Sequence, residues 1–380
     1  MTEHDNEFYW YWFVNIKGIG NIMRVRLMER FGHPRFFYDC DSGELKDLLS
    51  ESQIESFRSS RNYSRVEEGL KKLKGEGARF VHWQSRDYPH RFRSLYDPPY
   101  GFYLKGRLPD PDCPAVAIVG SRKASQYGRK AAKIFASELA EQGVAIISGM
   151  ASGVDSEAHR AALDSSGMTL GILGGGIDTM YPKGNWNLYL DMYEQGGILS
   201  EYNLGIVNRS GLFPMRNRLI SGISDCVLVV EAGEKSGSLI TADQGMEQGK
   251  EVYAVPGRVT DVMSRGCNHL IAQGASIAES PQSLLEDLRS LWERTRGAYF
   301  PVLNKSEYRS FHIDDSRVQS SYTMEEQMIM DTLDEIEPRT FDFVLSETGL
   351  PLNILQHILI RLEMKSCILQ VQQNMYLKKI

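Results

Sequence analysis

The chain is poor in the residues and patterns that mark several common protein classes. Only five cysteines occur, Cys40, Cys113, Cys226, Cys267 and Cys367, and no two form a C-x-x-C pair. Isolated cysteines argue against a disulfide framework, and no cluster of His, Cys, Asp and Glu has ligand spacing, so no metal is expected. No G-x-G-x-x-G follows the first core strand, and the second ends in Ser148-Gly149 rather than an acidic residue that would hold a ribose hydroxyl. With no G-x-x-x-x-G-K-[ST] either, a nicotinamide cofactor and a P-loop ATPase are both argued against, and no cofactor is expected. Long apolar runs are missing too. The aromatic cluster at 8–13 is too short for a membrane span or a secretory h-region, so a reduced, cytoplasmic setting without membrane contact is expected. Positive charge is not in excess: the net charge of −6 argues against coating duplex DNA through bulk charge, so any polyanion site must be local.

What the chain has instead is a regular alternation through its middle. Short apolar runs at 115–119, 144–147, 169–173, 198–199, 226–230 and 252–255 alternate with helix-length segments such as 128–142 and 153–165, whose apolar residues recur three and four apart. Strands apolar throughout and separated by helices indicate a parallel sheet covered on both faces, because each crossover lays a helix on the sheet. The expected fold class is α/β, with a doubly wound core. In such a sheet a ligand sits at the carboxyl ends of the strands. Gly120-Ser121-Arg122, the stretch 148–153, Gly174-Gly175-Gly176, Glu231-Ala232-Gly233 and Pro256-Gly257 stand there. Glycine lets the backbone approach a ligand, and helix starts at Gly128, Gly153 and Ser238 add positive dipole ends, so the site reads as built for phosphate. The alternative is that these glycines only make tight strand-to-helix turns.

The flanks read as separate modules. In residues 1–72, Ile16-Lys17-Gly18-Ile19-Gly20 followed by Met23, Leu27 and Phe31 at helical spacing resembles the turn of a helix-hairpin-helix module, which presents N–H groups to nucleic-acid phosphate or serves packing alone. Lys17, Arg24 and Arg26 lie beside it. Between 78 and 114, prolines argue against helix, and aromatic content favours edge strands added to the main sheet. The polar stretch 291–322 reads as a linker. The last residues, 323–380, give helices from Met324, from Thr340 and from Pro351 to Met364, then strands at 368–371 and 375–377, the pattern of a winged helix. That module has five Lys and Arg against nine Asp and Glu, and its third helix offers only His357 and Arg361 as cations, which favours protein contact or regulation over reading DNA.

Several motifs taken together resemble one family. They are Gly120-Ser121-Arg122, Ser148-Gly149-Met150-Ala151-Ser152-Gly153-Val154-Asp155, Ala158-His159, Tyr181-Pro182, Phe213-Pro214-x-Arg216-Asn217-Arg218-x-Ile220-Ser221-Gly222, Ser236-Gly237-Ser238-Leu239-Ile240-Thr241-Ala242 and Val255-Pro256-Gly257. Over residues 78–290 the chain resembles the DNA-processing protein A (DprA/Smf) family. The resemblance implies an extended Rossmann-like, mostly parallel doubly wound sheet, with a helical helix-hairpin-helix or SAM-like domain before it and a winged helix after it. It also implies a protein that binds incoming single-stranded DNA, protects it and loads the RecA recombinase onto it in natural transformation, without catalysis.

Residues 113–280 contain 14 Lys and Arg against 17 Asp and Glu, yet Arg122, Lys123, Lys183, Arg209, Arg216 and Arg218 are expected in loops, which suits a focused single-strand groove. By resemblance Arg122 and Lys183 are the leading phosphate contacts, followed by Arg216, Asn217 and Arg218, with Gly120, Ser121, Ser236, Gly237 and Ser238 beside them. For the arginine pair the alternative is a structural ion pair. Tyr127, Tyr181, Trp186 and Phe213 are candidates for base stacking, with core packing as the alternative. Asp155 and His159, one turn apart, read as structural, with no third group orienting His159. In a competing enzyme reading Glu231 serves as the carboxylate of a glycosidic cleavage of nucleoside monophosphates, although the P-G-G-x-G-T-x-x-E pattern is missing. Leu270, Ile271 and Ile277 fall in a short helix and final strand, either packed back or shared with a second copy, and the resemblance implies a homodimer through them. The helix at 239–248 is a candidate face for RecA.

Overall fold

In the computed structural model the described residues are 3–296, 324–334, 338–364, 367–372 and 375–378. The chain divides into two compact units, Met1–Leu303 and Asn304–Ile380. In the first, α1 (Glu3–Val14), α2 (Asn21–Phe31), α3 (Pro34–Asp39), α4 (Glu51–Ser60) and α5 (Tyr63–Gly75) precede a nine-stranded sheet. Its strands are β1 (Arg79–His82), β2 (Gly101–Gly106), β3 (Ala115–Val119), β4 (Ala145–Ser148), β5 (Thr169–Gly176), β6 (Gly197–Tyr202), β7 (Cys226–Val229), β8 (Glu251–Ala254) and β9 (Ser276–Ile277). They lie in the order β1-β2-β6-β5-β4-β3-β7-β8-β9. All neighbours from β6 to β9 are parallel, while β1 and β2 add antiparallel at the β6 side. The segment before β3 therefore joins the sheet as expected, with the correction that β2 is an interior strand and only β1 an edge.

Seven helices accompany β3 to β9: α6 (Gln126–Glu141), α7 (Val154–Asp164), α8 (Trp186–Glu194), α9 (Leu212–Ile223), α10 (Gly237–Glu247), α11 (Arg265–Ala272) and α12 (Pro281–Arg296). Successive crossovers run outward from β3 to β6, and the chain then returns to β7 on the other side of β3. Crossovers of one hand must then lay the first helices on one face and the later ones on the other. The cores agree. Val116 and Ile118 pack with Ala132, Phe135 and Ala158 of α6 and α7, whereas Ala117 and Val119 pack with Leu219, Ile220 and Ala242 of α9 and α10. The reversal sets a crevice between the carboxyl ends of β3 and β7, where a doubly wound sheet takes its ligand.

The N-terminal helices do not stand apart as their own unit. The aromatic cluster at 8–13 is part of α1, and Trp10, Trp12 and Phe13 share one core with Phe80 and Tyr103 of β1 and β2 and with Tyr189 and Met192 of α8. The hairpin joins α1 to α2; Lys17 and Arg26 are exposed beside it, but Arg24 turns inward to the Val14 carbonyl at 2.5 Å and to Asn21. The stretch read as a linker is helical up to Arg296, because Leu284, Leu285, Leu288 and Trp292 bury one face of α12 in the α6 and α7 core. The rest of that stretch, from 297, lies outside the described residues.

The second unit holds α13 (Met324–Thr332), α14 (Phe341–Thr348) and α15 (Leu352–Met364), with β10 (Arg339–Thr340), β11 (Ile368–Gln372) and β12 (Met375–Lys378) in a small sheet ordered β10-β12-β11. Ile329, Val344, Leu355 and Leu362 form its core. Arg361 pairs with buried Glu326 at 3.1 Å, and the side chain of His357 lies outside the described residues. No helix among the described residues is long and apolar enough to cross a membrane.

Candidate nucleic-acid interface

A groove of about 720 Å³ opens at the carboxyl ends of the central strands. Gly120, Ser121, Arg122 and Lys123 form one wall, and the start of α9 and the start of α10 face them. Each wall follows from local chemistry. Ser121 N–H donates to the Glu231 carbonyl at 2.7 Å, so the loop after β3 continues the pairing with β7. Val154 N–H donates to the Ser121 carbonyl at 3.2 Å, which binds that loop to α7. Gly153, at φ 83, makes this contact possible: a Cβ there would run into the Ser121 and Arg122 carbonyls. Ser236 caps α10 by accepting from Ser238 N–H, leaving the positive end of that helix toward the groove.

Glu231 has a structural task. Its buried carboxylate accepts from Ser125 N–H at 2.8 Å and from Ser125 Oγ at 2.5 Å, fixing the start of α6. Both oxygens being engaged inside the fold, it does not stand free as a catalytic carboxylate, which removes the residue on which the glycosidic reading depended.

The exposed part of the groove is an aromatic and cationic rim. Arg122 is exposed, and its Cζ lies 4.7 Å from the Phe213 ring centroid, within cation–π range. Tyr181 stands 5.9 Å from the same ring and is 47% exposed. The Tyr189 hydroxyl holds Tyr181 in place, donating to its carbonyl at 3.0 Å and accepting from its N–H at 3.2 Å. Lys183 and Trp186 are exposed just beyond Tyr181, outside the groove's lining. Tyr127 leaves the stacking set: it packs with the α6 and α7 core and donates to the Pro256 carbonyl at 2.8 Å.

The arginines of α9 are corrected most. Pro214 sits in the first turn, where its missing N–H costs nothing, so the helix already runs from Leu212 and carries Arg216 and Arg218 as helical residues rather than loop cations. Arg216 is only 4% exposed. Its Nη1 donates to the Gly149 carbonyl at 2.8 Å and to that of Ile172, tying the end of β4 and the middle of β5 to α9. Burial pulls this guanidinium down to about 10 against the charge of Asp155. Asp155, itself raised by burial and drawn down by Arg216, accepts from Gly149 and Ala151 N–H at 3.2 and 3.3 Å. Arg216 and Asn217 thus reach the groove only as its floor. Arg218 faces away from it, pairing with Asp97 at 3.0 Å and with Glu201 at 2.6 Å. His159 does have a third group: its Nδ1 donates to Thr169 Oγ1 at 2.6 Å, and that hydroxyl donates to the Ile146 carbonyl at 2.8 Å. Burial holds the ring down to about 3, so it is neutral.

Asn208, Ser210 and Met263 also line the groove and were not singled out from the sequence. They sit on connections with no glycine-rich signature, and only the strand order brings them to the crevice. At the far edge of the sheet, Leu270 is 4% exposed and packs into its own domain's core, which removes it from any shared surface. Ile271 is half-buried and Ile277, on edge strand β9, is 48% exposed.

The family described as DNA recombination-mediator protein A matches residues 79–289. The DNA processing protein DprA of Bacillus subtilis is 36% identical over 246 residues, which are 64% of this chain and 81% of that protein. Protein Smf of Escherichia coli is 40% identical over 225 residues, 59% of this chain and 60% of that one. Among solved structures, DprA from Streptococcus pneumoniae superposes with a TM-score of 0.65 at 32% identity, covering 74% of this chain and 97% of that one. DNA processing protein A from Helicobacter pylori, described for its single-stranded DNA binding mode, gives a TM-score of 0.51 at 32% identity over 56% of this chain and 95% of that one. Residues 79–289 hold β1 through β9 and the loops that meet the groove, and the chain belongs to the DNA recombination-mediator protein A family.

Proposed function

We propose that the groove binds single-stranded DNA, and that the protein protects this strand and loads a RecA recombinase onto it during natural transformation, acting by binding and without catalysis. The rim of Arg122, Phe213 and Tyr181 carries this reading. A cation held over one ring, with a second exposed ring beside it, offers a phosphate contact and a stacking surface together. A duplex keeps its base faces stacked and can use only the cation. Lys123 on the wall, Arg209 on the loop before α9 and Lys183 beyond Tyr181 extend the positive rim, and the start of α10 at Gly237 adds a positive dipole end beside the Gly120-Ser121 wall. The relative from Helicobacter pylori, described by its single-stranded DNA binding, supports the same ligand here.

Two partners follow. A second copy of the chain pairs through β9 and α11, where Ile277 and Ile271 leave apolar surface beside an open strand edge. The outer side of α10, with Met246 46% exposed, is the face offered to RecA. The C-terminal unit, whose third-helix cation Arg361 is already paired with Glu326, serves as a protein-contact or regulatory winged helix. A gel-shift comparison of single-stranded and double-stranded DNA of equal length, run beside an assay for nucleotide hydrolysis, tests the proposal. Tight, salt-sensitive binding of the single strand and no hydrolysis are expected; equal affinity for blunt duplex, or turnover of a nucleotide, overturns it.

A further inference from the structure

The N-terminal helices enclose a second cleft, of about 520 Å³, that the groove does not use. Its walls come from α1, α4 and α5, and it extends to Asn203 and Leu204 just past β6. Lys17, Arg65 and Lys72 line it against one carboxylate, Glu68, which Lys72 holds at 2.8 Å. Lys17 and Arg65 are exposed and close no ion pair among the described residues, although Arg65 lies near enough to Glu68 to help Lys72 hold that carboxyl below its usual range. The floor is polar and fixed in place: the Tyr11 hydroxyl donates to Asn203 Oδ1 at 3.3 Å, and Asn203 Nδ2 donates to Asn15 Oδ1 at 2.7 Å. Gly69 leaves room for this, since a Cβ there would lie 2.5 Å from the Tyr11 oxygen. Exposed cations in excess of the one carboxylate, over a floor of hydroxyl and amide groups, suit a phosphate oxyanion.

Position indicates which phosphate. Asn203 and Leu204 line the cleft, whereas Asn208 and Ser210 line the groove. The steps from Leu204 to Asn208 span at most about 14 Å. This segment is held against the end of β5: Gly176 N–H donates to the Ile206 carbonyl at 2.8 Å, and Gly205 N–H to the Asp178 carboxylate at 2.9 Å. On the outside it presents Ile206 and Val207, 41% and 64% exposed, an apolar crest over which unstacked bases can lie. We propose that the cleft is a second phosphate site for the same strand, which leaves the groove, crosses the 204–208 crest and sets its backbone on Lys17 and Arg65. This inference rests on the single-strand reading of the groove.

The experiment compares oligothymidylates of about 6 and about 25 nucleotides, one near the short end of typical single-strand site sizes and one beyond their long end, by fluorescence anisotropy across a salt series. The proteins are the wild type, a double Lys17→Ala/Arg65→Ala variant, its conservative Lys17→Arg/Arg65→Lys counterpart, and Arg122→Ala. The double alanine variant is expected to bind the short strand normally and the long strand more weakly, with a salt slope lower by about 1.4, two single-strand phosphates at about 0.7 each. The conservative variant restores the slope. An unchanged long-strand slope in a double alanine variant that melts like the wild type overturns the second site while leaving the groove intact. Failure of the groove reading looks different: Arg122→Ala then leaves both lengths unchanged, and both proposals fall. A parallel titration with inorganic phosphate and a mononucleotide separates the ligand sources. Tight binding of either one that is lost in the double variant, without dependence on strand length, assigns the cleft to a free phosphate ligand and overturns the strand path.

Discussion

Arg122 and Arg216 face the same ring, Phe213, at 4.7 and 6.0 Å, and one is at the surface while the other is buried. Arg122 follows a strand end, so its side chain leaves the loop over open solvent. Arg216 lies on the inward side of α9, where two carbonyl oxygens take its Nη1 donors and the charge of Asp155 offsets its field. The difference shows that a cation beside a groove is available to a polyanion only if the fold has not committed it first. A buried arginine with internal partners shapes the groove, and an exposed one on an aromatic ring is free to bind through it.

The largest effect that sharpens this contrast belongs to Arg218. Arg218→Ala leaves Asp97 without its ion-pair partner and Glu201 with the Asn21 amide and the field of Arg24. The expected loss is about 3 kcal/mol of stability by urea denaturation, the low end for a buried pair because Asp97 reaches water and Glu201 keeps these neighbours. The folded fraction should bind single strands normally; a loss below about 1 kcal/mol would move Arg218 into the class of surface pairs. Next comes the sheet edge. Ile271→Glu with Ile277→Glu should give a folded monomer in light scattering that binds long strands on the order of 100-fold more weakly and short ones normally, since two linked rims raise effective concentration. A wild type that is already monomeric at micromolar concentration contradicts this.

Away from the rim, pH reports on buried groups, His159 behind the groove floor and His82 of β1 against Trp10. Burial holds His159 at about 3 and His82 at about 4, below the usual 6.5, so the folded chain stays unprotonated where the unfolded chain takes up protons. Stability therefore falls as pH drops from about 6 toward 4, by up to about 1.4 kcal/mol per pH unit for each group. His159→Gln should remove one group's share of that slope in denaturation curves taken at several pH values, and an unchanged slope shows that His159 protonates in the folded state.

Most of the fold could be read from residue order because its signals are local. Apolar runs such as Ala115–Val119 are apolar at every position, as a strand covered on both faces must be, and Gly153 marks a turn at which a Cβ would collide with a neighbouring loop. The groove's glycine and serine loops follow from the same signals. The orientation of α9 was not legible. Phe213-Pro214-x-Arg216-Asn217-Arg218 reads as a basic loop until the helix is known to start at Leu212, and only then do the two arginines point into the protein. The partners that hold them come from far along the chain: Gly149 and Ile172 for Arg216, Asp97 and Glu201 for Arg218. Leu270 was misplaced for a related reason, since an apolar residue on a last helix gives no sign of whether its own sheet has room for it.

The smallest change bears most directly on the account. Single-strand binding measured against salt for the wild type and for Arg122→Ala isolates the arginine that, among the described residues, is both exposed and held over Phe213. The expected result is weaker binding to every sequence tested, a salt slope lower by about 0.7, and an unchanged melting temperature. Equal affinity and equal slope in a variant that melts like the wild type would contradict the claim that the rim, rather than the buried arginines, meets the strand.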